Sequence, residues 1–285
     1  MTILEVIQRS AAYLERRGVD SPRLQAELLA AHVLGCPRMR LYLDFERTPD
    51  GAQLDRLRTL VQQRGERVPL QHLTGSVSFC GLELEVSRAA LIPRPETERL
   101  AELAWTWLKG KGAATVLDFG TGTGCLAIAI AANAPEAIVH ALDVSADALA
   151  LARRNVARHL LDSRIPLHHV DGFGALPAAL RFDCIAANPP YIPGADIASL
   201  DPEVRDHDPR LALDGGADGL DFFRVLSREA RAWLKPGGVL FAEFGDGQAD
   251  ALLGMFAPPP WGGGARIESD LSGRGRFLVA CVPAA

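Results

Sequence analysis

The chain has 285 residues, 48% hydrophobic and 23% charged, enough apolar material for a sizeable core and for more than one domain. Its net charge of −5 argues against a protein built mainly to grip nucleic acid, whose footprint is basic. Five scattered cysteines without CxxC, seven histidines without HExxH, no long apolar run and no signal-like start weigh against disulfides, zinc, a membrane span and secretion, and favour a reducing, cytoplasmic setting.

Residues 1–75 read as a small helical bundle. "TILEVIQRSAAYLERRG" opens with Thr2 and Glu5 spaced as a capping box and stops at Gly18. "SPRLQAELLAAHVLG" predicts a helix with Ser21 as N-cap, Pro22 at its first position, Gly35 past its end, and Leu24, Leu28, Ala31 and Leu34 on its buried face. A third helix is expected from Asp50 to Arg64, with Leu54, Leu57 and Val61 inward.

Residues 76–112 read as a connector. Alternation in "SVSFCGLELEV", broken at Cys80-Gly81, predicts a β-hairpin. "LIPRPETE" is extended by its prolines and leads into a helix from Glu96 to Lys109.

From Ala113 to the C-terminus short apolar strands alternate with helices: "ATVLDF", "IVHALD", "IPLHHVD", "FDCIAA" and "GGVLFAEF" are the strands. The His168-His169 pair falls within one of them and reads as strand residues. The alternation predicts an α/β fold with a mainly parallel, Rossmann-like sheet covered on both faces. A proline- and glycine-rich loop at 257–265 is the only low-complexity tract. In such sheets ligands bind beyond the carboxyl ends of the strands, near the point where strand order reverses.

The strand ends are therefore where the chemistry is sought. The first ends in "DFGTGTG", carrying Asp118, Gly120, Thr121, Gly122, Thr123 and Gly124. The position that would complete G-x-G-x-x-G is Cys125, and no Walker lysine follows, so the loop suits a carboxylate better than a pyrophosphate. Asp118 is expected to accept loop N–H groups or meet an ammonium. Asp143 ends the second strand, roughly twenty residues on, where a carboxylate takes ribose hydroxyls. The third ends at Asp171-Gly172-Phe173: Asp171 is read as accepting from an exocyclic amine or as a helix cap, Phe173 as packing on a purine or as a core aromatic. Carboxylate, ribose and adenine together describe S-adenosylmethionine, with S-adenosylhomocysteine as product.

The fourth strand ends in Asn188-Pro189-Pro190-Tyr191. A planar amide nitrogen is a poor nucleophile because its lone pair is delocalised. The Asn188 side-chain oxygen and the Pro189 carbonyl can each accept one of its N–H groups and draw it toward a tetrahedral shape. The prolines fix φ and pre-position both acceptors, and Tyr191 offers a flat face to the planar group. Asn188, Pro189 and Tyr191 are thus the candidate catalytic residues, with Pro190 completing the substrate-binding corner.

At this point the chain resembles the release factor glutamine methyltransferases (HemK/PrmC), over nearly its whole length. The resemblance rests on "RGERVPLQHLTG" (Arg64–Gly75), "LIPRPETE" (Leu91–Glu98), "LDFGTGTG" (Leu117–Gly124), Asp143, "NPPYI" (Asn188–Ile192) and "LALDGGADGLDFFR" (Leu211–Arg224). It implies a class I S-adenosylmethionine-dependent methyltransferase domain at 113–285. It also implies N5-methylation of the glutamine in the Gly-Gly-Gln motif of peptide chain release factors, with Gly120–Gly124, Asp143 and Asn188 touching the cofactor, Asn188–Tyr191 holding the glutamine and the helices of 1–75 contacting that substrate. Where the family often shows Asp-Trp-Phe, this chain reads Asp171-Gly172-Phe173, so Phe173 or main chain is expected against the adenine.

Three other functions compete. A ribosomal-protein glutamine methyltransferase uses the same chemistry. A nucleic-acid adenine-N6 methyltransferase shares NPPY but calls for a basic groove and base flipping. A nucleotide-binding module without chemistry leaves NPPY without a purpose. The expected protein is a monomer that acts on release factors and binds neither membrane nor nucleic acid.

Overall fold

The computed structural model describes residues 1–259, 261, 262 and 264–284, so residues 260 and 263 of the loop at 257–265 lie outside the described residues. The chain divides into two units: Met1–Ser76 with Asp201–His207, and Val77–Leu200 with Asp208–Ala285. The expected connector, 76–112, belongs to the second from Val77 on.

The first unit is helical: α1 (Ile3–Arg16), α2 (Pro22–Leu34), α3 (Arg38–Leu41), α4 (Gly51–Gly65) and α5 (Leu70–Thr74). The capping box of α1 is formed, with Thr2 and Glu5 exchanging bonds across the first turn. Asp50 and Gln53 form another at the start of α4, whose Leu57 and Val61 are buried. The reading of α2 needs two corrections. Ser21 adopts φ 47° and makes no side-chain cap bond. The buried residues are Ala26, Glu27, Leu29, Ala30 and Ala31, with Leu24 left 39% exposed. An alanine-rich helix has a weak apolar stripe, and close packing of α1 on its small residues sets its rotation instead. The Asp201–His207 segment, with α9 (Pro202–Arg205), is held by Glu203, which accepts from Arg64 at 2.7 Å and from Arg67 at 2.6 and 2.7 Å. Burial pulls the Glu203 carboxyl upward, but the two guanidiniums prevail and hold it at about 2.

The second unit begins with the expected hairpin, β1 (Ser76–Phe79) and β2 (Leu82–Glu85), whose turn residues Cys80 and Gly81 both have positive φ. The remaining elements are α6 (Pro95–Leu108), β3 (Thr115–Phe119), α7 (Cys125–Asn133), β4 (Ile138–Asp143), α8 (Ala146–Arg158), β5 (Leu167–His169), β6 (Phe182–Ala187), α10 (Asp221–Trp233), β7 (Leu234–Glu243), α11 (Ala249–Phe256), β8 (Ala265–Ser269) and β9 (Gly275–Cys281). The sheet order is β5-β4-β3-β6-β7-β9-β8, parallel from β5 to β7 and antiparallel at β9 and β8. That final antiparallel pair was not anticipated from sequence.

Alternation along the strands sends side chains to two cores. Val116, Cys184, Ala186, Val239 and Phe241 join α6 and α7 on one face. Leu117, Phe119, Ile185, Ala187, Leu240 and Ala242 join α10 and α11 on the other. Both faces being covered, the central strands are mostly apolar, and the acids Asp143 and Glu243 stand where β4 and β7 end. From β3 the chain builds outward through β4 and β5, then returns to β6 on the other side. The order therefore reverses between β3 and β6.

Candidate active site

Strand register brings the motifs together. Phe119 is paired with Leu142 and with Ala187, and Ala187 in turn with Ala242. One step further along each strand stand Gly120, Asp143, Asn188 and Glu243, side by side at the reversal point. A cavity of about 210 Å³ opens there, its wall including Gly120–Thr123, Asp143, Asp171, Gly172, Asn188 and Pro190. Apolar walls come from Leu142, Val144 and Val170, and from Leu211 and Phe222.

The glycine loop is bound mostly to the protein itself. Gly120 and Thr121 donate to the Leu142 carbonyl at 3.0 and 2.8 Å. Gly122 donates to Asp143 Oδ2 at 2.9 Å, and Ser145 to Asp143 Oδ1 at 2.9 Å. Asp118 Oδ2 accepts from the Thr121 hydroxyl at 2.6 Å and the Ala127 amide at 3.1 Å. The helix N–H groups expected to await an anion are thus partly committed. What remains is acidic: Asp118 Oδ1 is fully buried, lies off the cavity wall and has no partner among the described residues. Burial pushes the Asp118 carboxyl up to about 7, against the bonds from Thr121 and Ala127. The glycines serve two ends. A Cβ at Gly120 (φ 77°) would project into open space, whereas at Gly124 (φ 84°) it would meet Ile128 and Ala152 at 3.3 and 3.4 Å, where α7 packs on α8.

Asp171 is exposed at the mouth, and Gly172 (φ 72°, ψ −163°) presents bare main chain to the cavity in a conformation essentially reserved for glycine. Phe173 does not reach the cavity, and this corrects its reading as a purine-packing ring. It is 1% exposed, its ring 4.8 Å from Phe119 and 6.1 Å from Trp233 by centroids. It is a core aromatic that anchors the turn.

The proline corner is built differently. Asn188 Nδ2 donates to Thr97 Oγ1 at 3.0 Å, and Thr97 donates to Glu243 Oε2 at 2.7 Å. Among the described residues, no hydrogen bond occupies Asn188 Oδ1 or the Pro189 carbonyl. Pro189 is buried and Tyr191 half-buried, and neither is on the cavity wall. The flat face expected of Tyr191 therefore does not line the cavity. Its ring lies against Gly245, its hydroxyl hydrogen-bonds Glu243, and its carbonyl accepts from Gln248 at 2.9 Å.

Several contributors escaped sequence reasoning. Glu243 is 2% exposed at the end of β7; a lone acid closing an apolar strand is the signal that marked it. Thr97 sits inside "RPETE" but carries no distinctive spacing. Buried Asn155 spans Glu85 and the Thr123 carbonyl, fastening the hairpin to the loop. Arg94 pairs with buried Asp208 at 2.6 Å, and Arg94 and Pro209 both stand on the cavity wall.

Sheet order and site define a Rossmann-like methyltransferase, and comparisons agree. The family described as "Methyltransferase small domain" matches residues 100–201, and "PrmC N-terminal domain" matches 5–75. The hMettl16 catalytic domain, 15% identical, shares the fold over 83% of each chain at a TM-score of 0.56. A release factor glutamine methyltransferase of Geobacter sulfurreducens is 44% identical over 90% of this chain and 88% of its own. Its counterpart in Deinococcus radiodurans is 43% identical over 98% of each. The chain belongs to the release factor glutamine methyltransferase family.

Proposed function

We propose that the protein methylates the N5 nitrogen of the glutamine in the Gly-Gly-Gln motif of peptide chain release factors, with S-adenosylmethionine as donor. The observation that carries this reading is the Asn188 carboxamide, whose NH₂ edge is committed to Thr97 while its oxygen is left for another molecule.

The donor fits the residues present. The orphaned Asp118 oxygen behind the glycine loop suits an ammonium group, the open face of Gly120 admits close approach, and Asp143 keeps lone pairs for hydroxyls. Asp171, on the cavity wall, is the proposed acceptor of an exocyclic amine, and the Gly172 main chain with Leu142, Val144 and Val170 is the proposed slot for a flat ring. When bound, this cofactor supplies an electrophilic methyl group on a sulfonium.

The chain's own residues do the rest. Asn188 Oδ1 and the Pro189 carbonyl each accept one N–H of the substrate carboxamide. Holding both hydrogens on one side draws the nitrogen out of its plane and turns its lone pair to the open side. Stiff prolines keep the acceptors in place before substrate arrives, so alignment costs little entropy at the moment of reaction. Tyr191 contributes by anchoring the corner to Glu243 and Gln248. The proton released from nitrogen leaves to water, so no buried base is required.

The helical unit, Met1–Ser76, is the part proposed to receive the release factor, with the enzyme acting as a cytoplasmic monomer on protein and not on nucleic acid. No described helix is long and apolar enough to cross a membrane. The test is mass spectrometry of a release factor incubated with enzyme and donor, with ribosomal proteins and RNA as parallel substrates. One methyl on the Gly-Gly-Gln glutamine is the expected result; transfer to the other substrates alone overturns the reading.

A further inference from the structure

We propose that Thr97 and Glu243 form a positioning pair that decides which edge of the Asn188 carboxamide faces the substrate. The inference rests on the reading of Asn188 given above and adds what fixes its orientation.

A carboxamide has two edges of nearly equal shape, one a double donor and one an acceptor, and only the acceptor edge serves a substrate amide nitrogen. The peptide backbone does not choose between them. Thr97 does, provided its single hydroxyl hydrogen is already spoken for. An ionised Glu243 has acceptors only, so at 2.7 Å it takes that hydrogen. The remaining lone pair of Thr97 faces Asn188 at 3.0 Å and is satisfied only by the NH₂ edge. A turned amide would bring two oxygens together with no proton between them.

The arrangement depends on the charge of Glu243, which is buried at the end of β7. From α6 it is faced by Glu96 and Thr97, from the proline corner by Tyr191, and from β9 by Arg276, which also pairs with Asp246 at 3.2 Å. Burial raises the Glu243 carboxyl to about 7; bonds from Thr97 and Tyr191 and the charge of Arg276 oppose the rise, and Glu96 adds to it. Once protonated, Glu243 donates to Thr97, the Thr97 hydrogen is freed, and the turned amide becomes acceptable. Asn188 then meets the substrate nitrogen with hydrogens instead of a lone pair. Competence therefore rises with pH through the Glu243 titration.

The experiment measures methyl transfer to a release factor at saturating donor, from about pH 5.5 to about pH 9, so that kcat reports the loaded enzyme. Saturation also keeps Asp118, which titrates near the same pH at the donor end, out of the profile. The wild-type kcat is expected to climb through a group near 7. Thr97→Val, which keeps shape and removes the hydroxyl, is expected to lower kcat about 10- to 100-fold with donor affinity by calorimetry within about twofold. Thr97→Ser is expected to recover most of that loss, and Glu243→Gln to flatten the pH profile. Melting curves check that each variant folds, and should Thr97→Val fail to fold, the serine and glutamine variants still decide the matter. A Thr97→Val enzyme as fast as wild type, or a Glu243→Gln enzyme with an unchanged profile, overturns the positioning pair. If Asn188→Ala is inactive in the same series, that failure leaves the reading of Asn188 standing; full activity in Asn188→Ala removes both.

Discussion

The glycine loop after β3 and the proline corner after β6 lie on neighbouring strands, yet they handle polar groups in opposite ways. In the loop the backbone is largely matched internally, three amides and a hydroxyl closing onto Leu142, Asp143 and Asp118, and among the described residues the buried Asp118 Oδ1 and Thr123 hydroxyl oxygens there lack a partner. In the corner Asn188 Oδ1 and the Pro189 carbonyl carry no hydrogen bond among the described residues, while the Asn188 NH₂ edge donates to Thr97 and Thr97 to Glu243. A cofactor site gains from a loop that already has its final shape, because ordering then costs little on binding. A reacting site needs unmet hydrogen-bonding capacity aimed at the group that will change, kept in place by partners on the far side. On the proposed function, the two corners divide these requirements between them.

The sharpest way to break that division is Asn188→Ala. The loop is untouched, so donor affinity should stay close to wild type while kcat falls by about 10²–10³. Comparable losses in affinity and turnover would mean that the two corners are not separable.

The loop carries a different signature, in its pH dependence. The folded Asp118 carboxyl titrates near 7, well above its ordinary 3.8. Between those values the folded chain holds a proton that the unfolded chain has released, so stability falls as pH rises through the window. The slope from this one group is at most about 1.4 kcal/mol per pH unit. Thermal melting of Asp118→Asn should lose that slope, and an unchanged slope would place its origin elsewhere.

A smaller effect is expected from Asp143→Ala, which removes one acceptor from Gly122 and another from Ser145. Charge-assisted bonds of this kind contribute about 1.5–3 kcal/mol, so donor affinity should weaken by about 10- to 100-fold while kcat at saturation holds. Calorimetry against steady-state rates separates the two quantities. The least costly change is Gly172→Ala. Nothing lies within 4 Å of the added carbon, so only the backbone conformation resists it, at about 1–3 kcal/mol. The cost should appear in melting temperature and only weakly in turnover.

Much of this molecule was legible before folding, because its signals are local. The cap at Thr2, the Cys80-Gly81 turn, the β/α alternation after Ala113 and the glycine and proline corners each depend on residues a few positions apart. Where local signals were weak, tertiary packing decided: the rotation of α2 followed its small residues against α1, and β8 and β9 joined the sheet without a readable pattern. Phe173 illustrates the same limit, since an aromatic after a strand reads alike for ligand and core, and only the positions of Phe119 and Trp233 separate them.

By itself the sequence determined the kinds of chemistry available and the strand ends at which they stand. Only the tertiary structure decided which groups meet: Thr97 and Glu243 reach Asn188 across separations of 91 residues and 55 residues, and 146 residues divide the two from each other. Hydrogen bonds act over about 3 Å, and chain separation says nothing about such distances until parallel strand register has set β3, β6 and β7 side by side.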